Sequence, residues 1–179
     1  MAREATQLVR DTESDLLFHH SSRVYYWAAL AGQRRELKVD RELLYIGLDG
    51  AFAAQDFMRQ YGVSQADIDK VWTAIALHTT PGIPEFMAPE IALVTAGVEM
   101  DVLGIDYDKF SDDQREQVVK HHPRPAAFKE EIIQAFYDGI KSKPTTTFGN
   151  VKADVIRDKE PGFEPLNFCS IIRASRWAG

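Results

Sequence analysis

Cysteine is nearly absent. The 179 residues contain one, Cys169, which excludes an internal disulfide framework and a zinc–thiolate site and fits a reducing compartment. Basic residues are outnumbered, with 21 Lys and Arg against 27 Asp and Glu and a formal net charge of -6. No basic run occurs, so a nucleic-acid partner, which needs a Lys/Arg excess on at least one face, is not expected. Long apolar runs are missing too. Charged residues interrupt them well before a bilayer would be crossed, and Met1-Ala2-Arg3-Glu4 carries no apolar secretion core. The expectation is a cytoplasmic protein with no membrane partner. Also lacking are a phosphate-cradling glycine loop, a nucleophile elbow and a histidine pair at metalloprotease spacing. What remains is 45% apolar and 27% charged, an ordinary globular composition in a length that suits one domain.

Apolar residues recur at spacings of three and four along most of the chain, and strict alternation is hard to find, so the fold class is all-α: a single-domain helical bundle over residues 1–179. The spacing predicts a long helix from about Asp15 to Gly32, with Leu16, His20, Val24, Trp27 and Ala31 on one stripe and Gly32 as its stop. Shorter helices follow over Arg41 to Leu48, behind the cap residue Asp40, and over Ala51 to Tyr61. Ser64 caps a helix carrying Ile68, Val71, Trp72 and Ile75 that stops at Thr79-Thr80-Pro81-Gly82. From Pro89 an almost wholly apolar helix runs through Ile91, Val94, Val98 and Val102 to Leu103, and belongs in the interior. Ser111 opens a helix ending near His121-His122-Pro123, Phe128 to Ile140 is amphipathic, and two shorter helices are expected near Asn150 to Asp158 and Pro165 to Ala174. Trp27 and Trp72 are expected in the core, with Tyr25 and Tyr26 split between core and surface.

Three polar residues interrupt apolar stripes. His20 lies four residues from both Leu16 and Val24, with Arg23 beside it. It reads either as a core histidine bonded to a carbonyl or as a ligand. His78 follows Ile75 by three and either faces a site or satisfies the last carbonyls of its helix. Asp101 follows Val98 by three in the most apolar helix, so it should be buried and needs an arginine, several donors or a metal ion. The plainest alternative to a metal is an ion pair with Arg23 or another arginine. Two inward imidazoles and an inward carboxylate on three helices would suit zinc, iron, manganese or nickel, and the three side chains are expected to face one cavity with Arg23 at its edge.

The same residues carry a family resemblance. His20-Ser21-Ser22-Arg23-Val24-Tyr25, the run Ile75 to Pro84 containing His78-Thr79-Thr80-Pro81-Gly82, Gly97 to Gly104 around Asp101, and Thr146-Thr147-Phe148-Gly149-Asn150-Val151 resemble the HD-domain superfamily, and within it the cyanamide-hydratase-like branch. The likeness covers nearly the whole chain in order. It implies an all-helical hydratase or hydrolase that adds water to a small nitrile-type substrate with a divalent metal as cofactor. By resemblance His20 is the first metal ligand and Asp101 the last. His78 is the catalytic group on the substrate side, and Arg23 and Thr79 contact substrate. The implied partner is a small-molecule substrate, with homo-oligomerisation left open.

One element of the family pattern is missing: the sequence contains no His-Asp dipeptide. In the family that adjacent pair supplies the other two ligands. Here the segment resembling its preceding helix, Glu42 to Leu48, runs directly into Asp49-Gly50-Ala51-Phe52, as if roughly 20 residues had been removed from a connection now implausibly abrupt. A second alignment makes Asp49 the surviving aspartate, with Leu48 in place of the histidine. Either way at least one ligand is lost, a larger deficit than the ten- to hundredfold weakening typical of outer-sphere loss. The expectation is an impaired metal-dependent hydratase or, alternatively, a catalytically inactive helical domain that keeps the pocket.

Overall fold

In the computed structural model, residues 2–46 and 51–174 are described; they form α-helices, short 3-10 turns and a π turn, with no strand. The all-helical expectation holds for these residues. The junction at Leu48 and Asp49 lies outside them. None of the described helices is long and apolar enough to cross a membrane. The chain gathers into two compact units, Met1–Ala126 and Ala127–Gly179.

The first unit is organised around α2 (Asp15–Arg34) and α6 (Pro89–Val98), which make the most extensive helix pairing of the fold. Ser14 caps α2 by accepting from the Leu17 amide, satisfying one of the orphan N–H groups at a helix start. The stop expected at Gly32 does not occur, since α2 runs on to Arg34. Gly32 has a packing role instead: a Cβ there would sit 2.9 Å from Leu93 Cδ1. Gly97 on α6 does the same more severely, because a Cβ would stand 2.4 Å from the Val24 carbonyl oxygen. Glycine on each helix therefore lets α2 and α6 approach nearly backbone to backbone.

The apolar composition of α6 suits the interior, and Ile91, Leu93, Val94, Thr95 and Gly97 are all buried. With Trp27, Ala28 and Ala31 of α2, Leu44 of α3 (Arg41–Ile46) and Ala74 of α5 (Gln65–Leu77), Ile91, Leu93 and Val94 build the main core. Each fully buried Leu, Ile or Val there is worth about 1.5–3 kcal/mol. A second cluster joins Ala5 of α1 (Ala2–Thr12), Leu43 of α3, Met58 of α4 (Ala51–Gln60), and Ile68 and Val71 of α5. The adjacent Leu43 and Leu44 thus serve different cores from opposite sides of one short helix. Helix α1 is not anticipated by the sequence reading. Its burial rests on Ala5 and Val9, an i, i+4 pair of small residues that is a faint periodic signal. Trp72 corrects another expectation: it is 38% exposed, while Trp27 is buried.

The expected single helix from Pro89 to Leu103 divides in two. After Val98 the backbone widens into a π-helical turn over Glu99–Leu103, ended by Gly104 at φ 71°. A π turn shifts the register of every side chain on it relative to an unbroken α-helix, and Asp101 lies on this turn. Helix α7 (Asp112–His121) starts with a reciprocal capping box between Ser111 and Gln114.

The second unit, taken by itself, comprises α8 (Phe128–Ile140), a 3-10 turn over Pro144–Thr147, α9 (Lys152–Lys159) and α10 (Phe168–Arg173). Helix α8 packs on α9, with Ile132, Ile140 and Ile156 among the buried side chains. Tyr137 Oη donates to Glu160 Oε1 at 2.9 Å, tying α8 to the end of α9.

Candidate functional site

The stripe spacing on α2 puts His20, Arg23 and Trp27 on one side of the helix, and all three converge on Asp101. Arg23 Nε donates to Asp101 Oδ1 at 2.8 Å and its Nη2 to Oδ2 at 3.0 Å, a bidentate fork. Trp27 Nε1 donates to Oδ1 at 3.1 Å, and His20 Nδ1 donates to Oδ2 at 2.7 Å. Arg124, in the segment after α7, donates from Nη1 to the Asp101 carbonyl at 2.5 Å and stands 3.4 Å from Oδ1. The remaining nitrogen of Arg23, Nη1, donates to the carbonyls of His122 at 3.3 Å and Pro123 at 2.8 Å.

The centre of this network is buried, with Arg23 0% exposed and Asp101 3%, while His20 and Arg124 at its margin are partly exposed. Burial by itself would raise the Asp101 carboxyl, but the hydrogen bonds and charges of His20 and Arg23 outweigh it and bring the group from its ordinary 3.8 to about 2. The ion pair with Arg23, one of the arrangements open to Asp101, is present. Arg23 stands at the centre of this network, where the sequence places it at the edge of a cavity. Trp27 and Arg124 were missed as partners. Trp27 carried a usable signal, since seven residues separate it from His20 on the same stripe. Arg124 carried none, because its reach to Asp101 depends on how the chain returns after α7.

His78, at the carboxyl cap of α5, donates from Nδ1 to the Ile75 carbonyl at 2.5 Å. That is the carbonyl-satisfying arrangement open to a histidine in this position. Thr79 follows in the turn, half-buried.

A second imidazole group lies on the neighbouring face of α2. The rings of His19 and His122 are 5.8 Å apart between centroids, with Phe18 and Tyr26 against them. Burial, and then the positive charges of His19, Arg23, His121 and Arg10, lower the His122 imidazole below its ordinary value. The Nδ1 atoms of His19 and His122 are buried with no hydrogen-bond partner among the described residues.

On Asp101 itself, the protein's own donors take the places that a cation would use. An ionised carboxylate has about four lone-pair sites, and Arg23 Nε, Arg23 Nη2, Trp27 Nε1 and His20 Nδ1 occupy that number on Asp101. The nitrogen of His20 nearest Asp101 likewise points at the carboxylate. Among the described residues no three His, Cys, Asp or Glu side chains form a metal-holding group. Compared with protein-family models, with curated proteins and with solved structures, the chain matches none.

Proposed function

We propose that this chain is an HD-type helical protein of the cyanamide-hydratase-like branch whose metal-dependent activity is impaired, Asp101 serving to hold the architecture where its counterpart would hold a metal. The observation that carries this reading is the saturation of both Asp101 oxygens by Arg23, Trp27 and His20. Withdrawing the carboxylate to serve a cation would leave Arg23, which has no access to water, with an uncompensated charge. The missing His-Asp pair acts in the same direction, removing the residues that would fix a metal relative to a small nitrile-type substrate, where a misplacement of about 1 Å can cost a hundredfold in rate. The setting proposed is cytoplasmic, in keeping with an exposed free thiol at Cys169.

A competing reading, an active metal-dependent hydratase, draws on one feature of the same network. A carboxylate accepting from Nδ1 of a histidine is the usual way to orient that ring for metal ligation through its other nitrogen, and Asp101 stands in that relation to His20. Two measurements separate the readings. Elemental analysis of the purified chain should find substoichiometric zinc, iron, manganese and nickel, and incubation with cyanamide should yield no urea above the uncatalysed rate. A variant with a family-type His-Asp segment inserted between Leu48 and Asp49 should gain both. Stoichiometric metal together with urea formation by the chain as it stands overturns the proposal in favour of the active enzyme.

A further inference from the structure

One of the segments that carry the resemblance, Thr146 to Val151, plays no part in the Asp101 network. In the second unit it forms one wall of a pocket of about 220 Å³ lined by Pro144, Thr147, Phe148, Phe163, Glu164 and Leu166 among others. Both walls are stiff. Pro144 opens the 3-10 turn, Thr147 Oγ1 donates back to the Pro144 carbonyl at 2.7 Å, and Asn150 Nδ2 donates to the Thr146 carbonyl at 2.9 Å. The opposite wall begins where the Phe163 amide bonds the Glu160 carbonyl at 2.8 Å, and Pro165 restricts the backbone just beyond. Because the hydroxyl of Thr147 is engaged with its own turn, the lining is mostly phenyl, proline and aliphatic carbon, with Thr145 and Glu164 as its other polar residues.

That carboxylate decides the chemistry. Glu164 is exposed and makes no ion pair among the described residues, so the pocket offers negative charge in the same lining as the Phe148 and Phe163 rings. Phe148 is further held by a contact with Phe168, the ring centroids 6.3 Å apart. Two aromatic rings with an uncommitted carboxylate are suited to a cation that has apolar surface of its own, the combination found in recognition of quaternary ammonium groups. The volume lies below the roughly 300–1,000 Å³ of sites for drug-sized ligands, which limits the occupant to a compact head group. We infer that the pocket between the Pro144–Thr147 turn and the Phe163–Leu166 segment binds a small alkylammonium compound, its charge on Glu164 and its methyl groups against Phe148 and Phe163.

The test uses the whole 179-residue chain and two probes of the same shape, choline and its neutral isostere 3,3-dimethylbutan-1-ol, titrated while amide and aromatic NMR shifts are followed. Choline should shift Phe148, Phe163 and Glu164 saturably, and the neutral alcohol should bind roughly three- to thirtyfold more weakly, the range of a cation–π contribution at a partly exposed to desolvated site. Glu164→Gln, at an exposed position that folding does not depend on, should weaken choline at least threefold and leave the alcohol unchanged. Phe163→Leu should weaken choline more than the alcohol. Equal binding of the two probes, or choline binding unaffected by Glu164→Gln, would reduce the pocket to an apolar cleft and overturn the inference, as would the absence of saturable shifts with choline.

Discussion

Asp101 and Asp106 lie five residues apart, and each is surrounded by cations, yet they do different work. Asp101, itself buried, takes Arg23 in the interior, His20 beside it and Arg124 from a partly exposed position. Asp106, on a left-handed backbone at φ 64°, takes Lys109 at 2.8 Å, Arg34 at 3.5 Å and Arg35 at 3.7 Å, with its side chain 26% exposed. The Lys109 hydrogen bond is the main influence lowering the Asp106 carboxyl. At Asp101 burial opposes ionisation more strongly and is overcome. The number of partners is similar and the medium is not. Water screens the charges around Asp106, so releasing one partner costs little, whereas around Asp101 every charge depends on every other. A cluster of charges is evidence of architecture only when solvent cannot replace its members.

The largest effect that would break this comparison is removal of the buried carboxylate. Asp101→Leu leaves Arg23 unpaired in the interior, and urea unfolding should show a loss of about 3–5 kcal/mol; a loss under about 1 kcal/mol would mean that the carboxylate is not structural. Next is acid. A carboxyl held at about 2 when folded and near 3.8 when unfolded contributes stability that is complete above about pH 4 and disappears as pH falls toward 2. The amount is about 2 kcal/mol, since each unit of difference is worth about 1.4. The urea midpoint should therefore fall between pH 4 and 2 by more in the parent chain than in Asp101→Asn, and parallel curves would contradict the assignment.

A smaller effect tests the approach of α2 and α6 that buries Asp101. Gly97→Ala brings a methyl group against the Val24 carbonyl, and after the gain in helix propensity the net cost should be roughly 1–2 kcal/mol. Gly32→Ala meets only the flexible tip of Leu93 and should cost less; thermal unfolding ranks the two. Smallest is Asp106→Asn, expected to cost less than about 1 kcal/mol and to become indistinguishable from the parent in about 1 M salt. A cost at Asp106 that survives salt would erase the distinction between the two aspartates.

The helical class, most element positions and the burial of Asp101 were legible in the sequence, because apolar spacing and capping residues act through neighbours in the chain. Ser64 and Ser111 cap where their positions imply, and the apolar α6 has half of its residues fully buried. The polar breaks in the stripes at positions 20, 78 and 101 identified residues that burial alone does not explain. Periodicity could locate them but could not choose between a cation and an arginine as the partner of Asp101, since both satisfy an isolated buried carboxylate.

That choice was made by tertiary structure. The π turn at Glu99–Leu103 rotates Asp101 away from the position an unbroken helix would give it, and the glycines at 32 and 97 let α2 come close enough for Arg23 to form a bidentate pair. Arg124 joins from a segment more than twenty residues away in sequence. Local propensity determines which stretches are helical at about 1 kcal/mol per residue or less. Where a buried charge finds its partner is set by larger energies of desolvation and pairing, which exist only once distant helices are packed together.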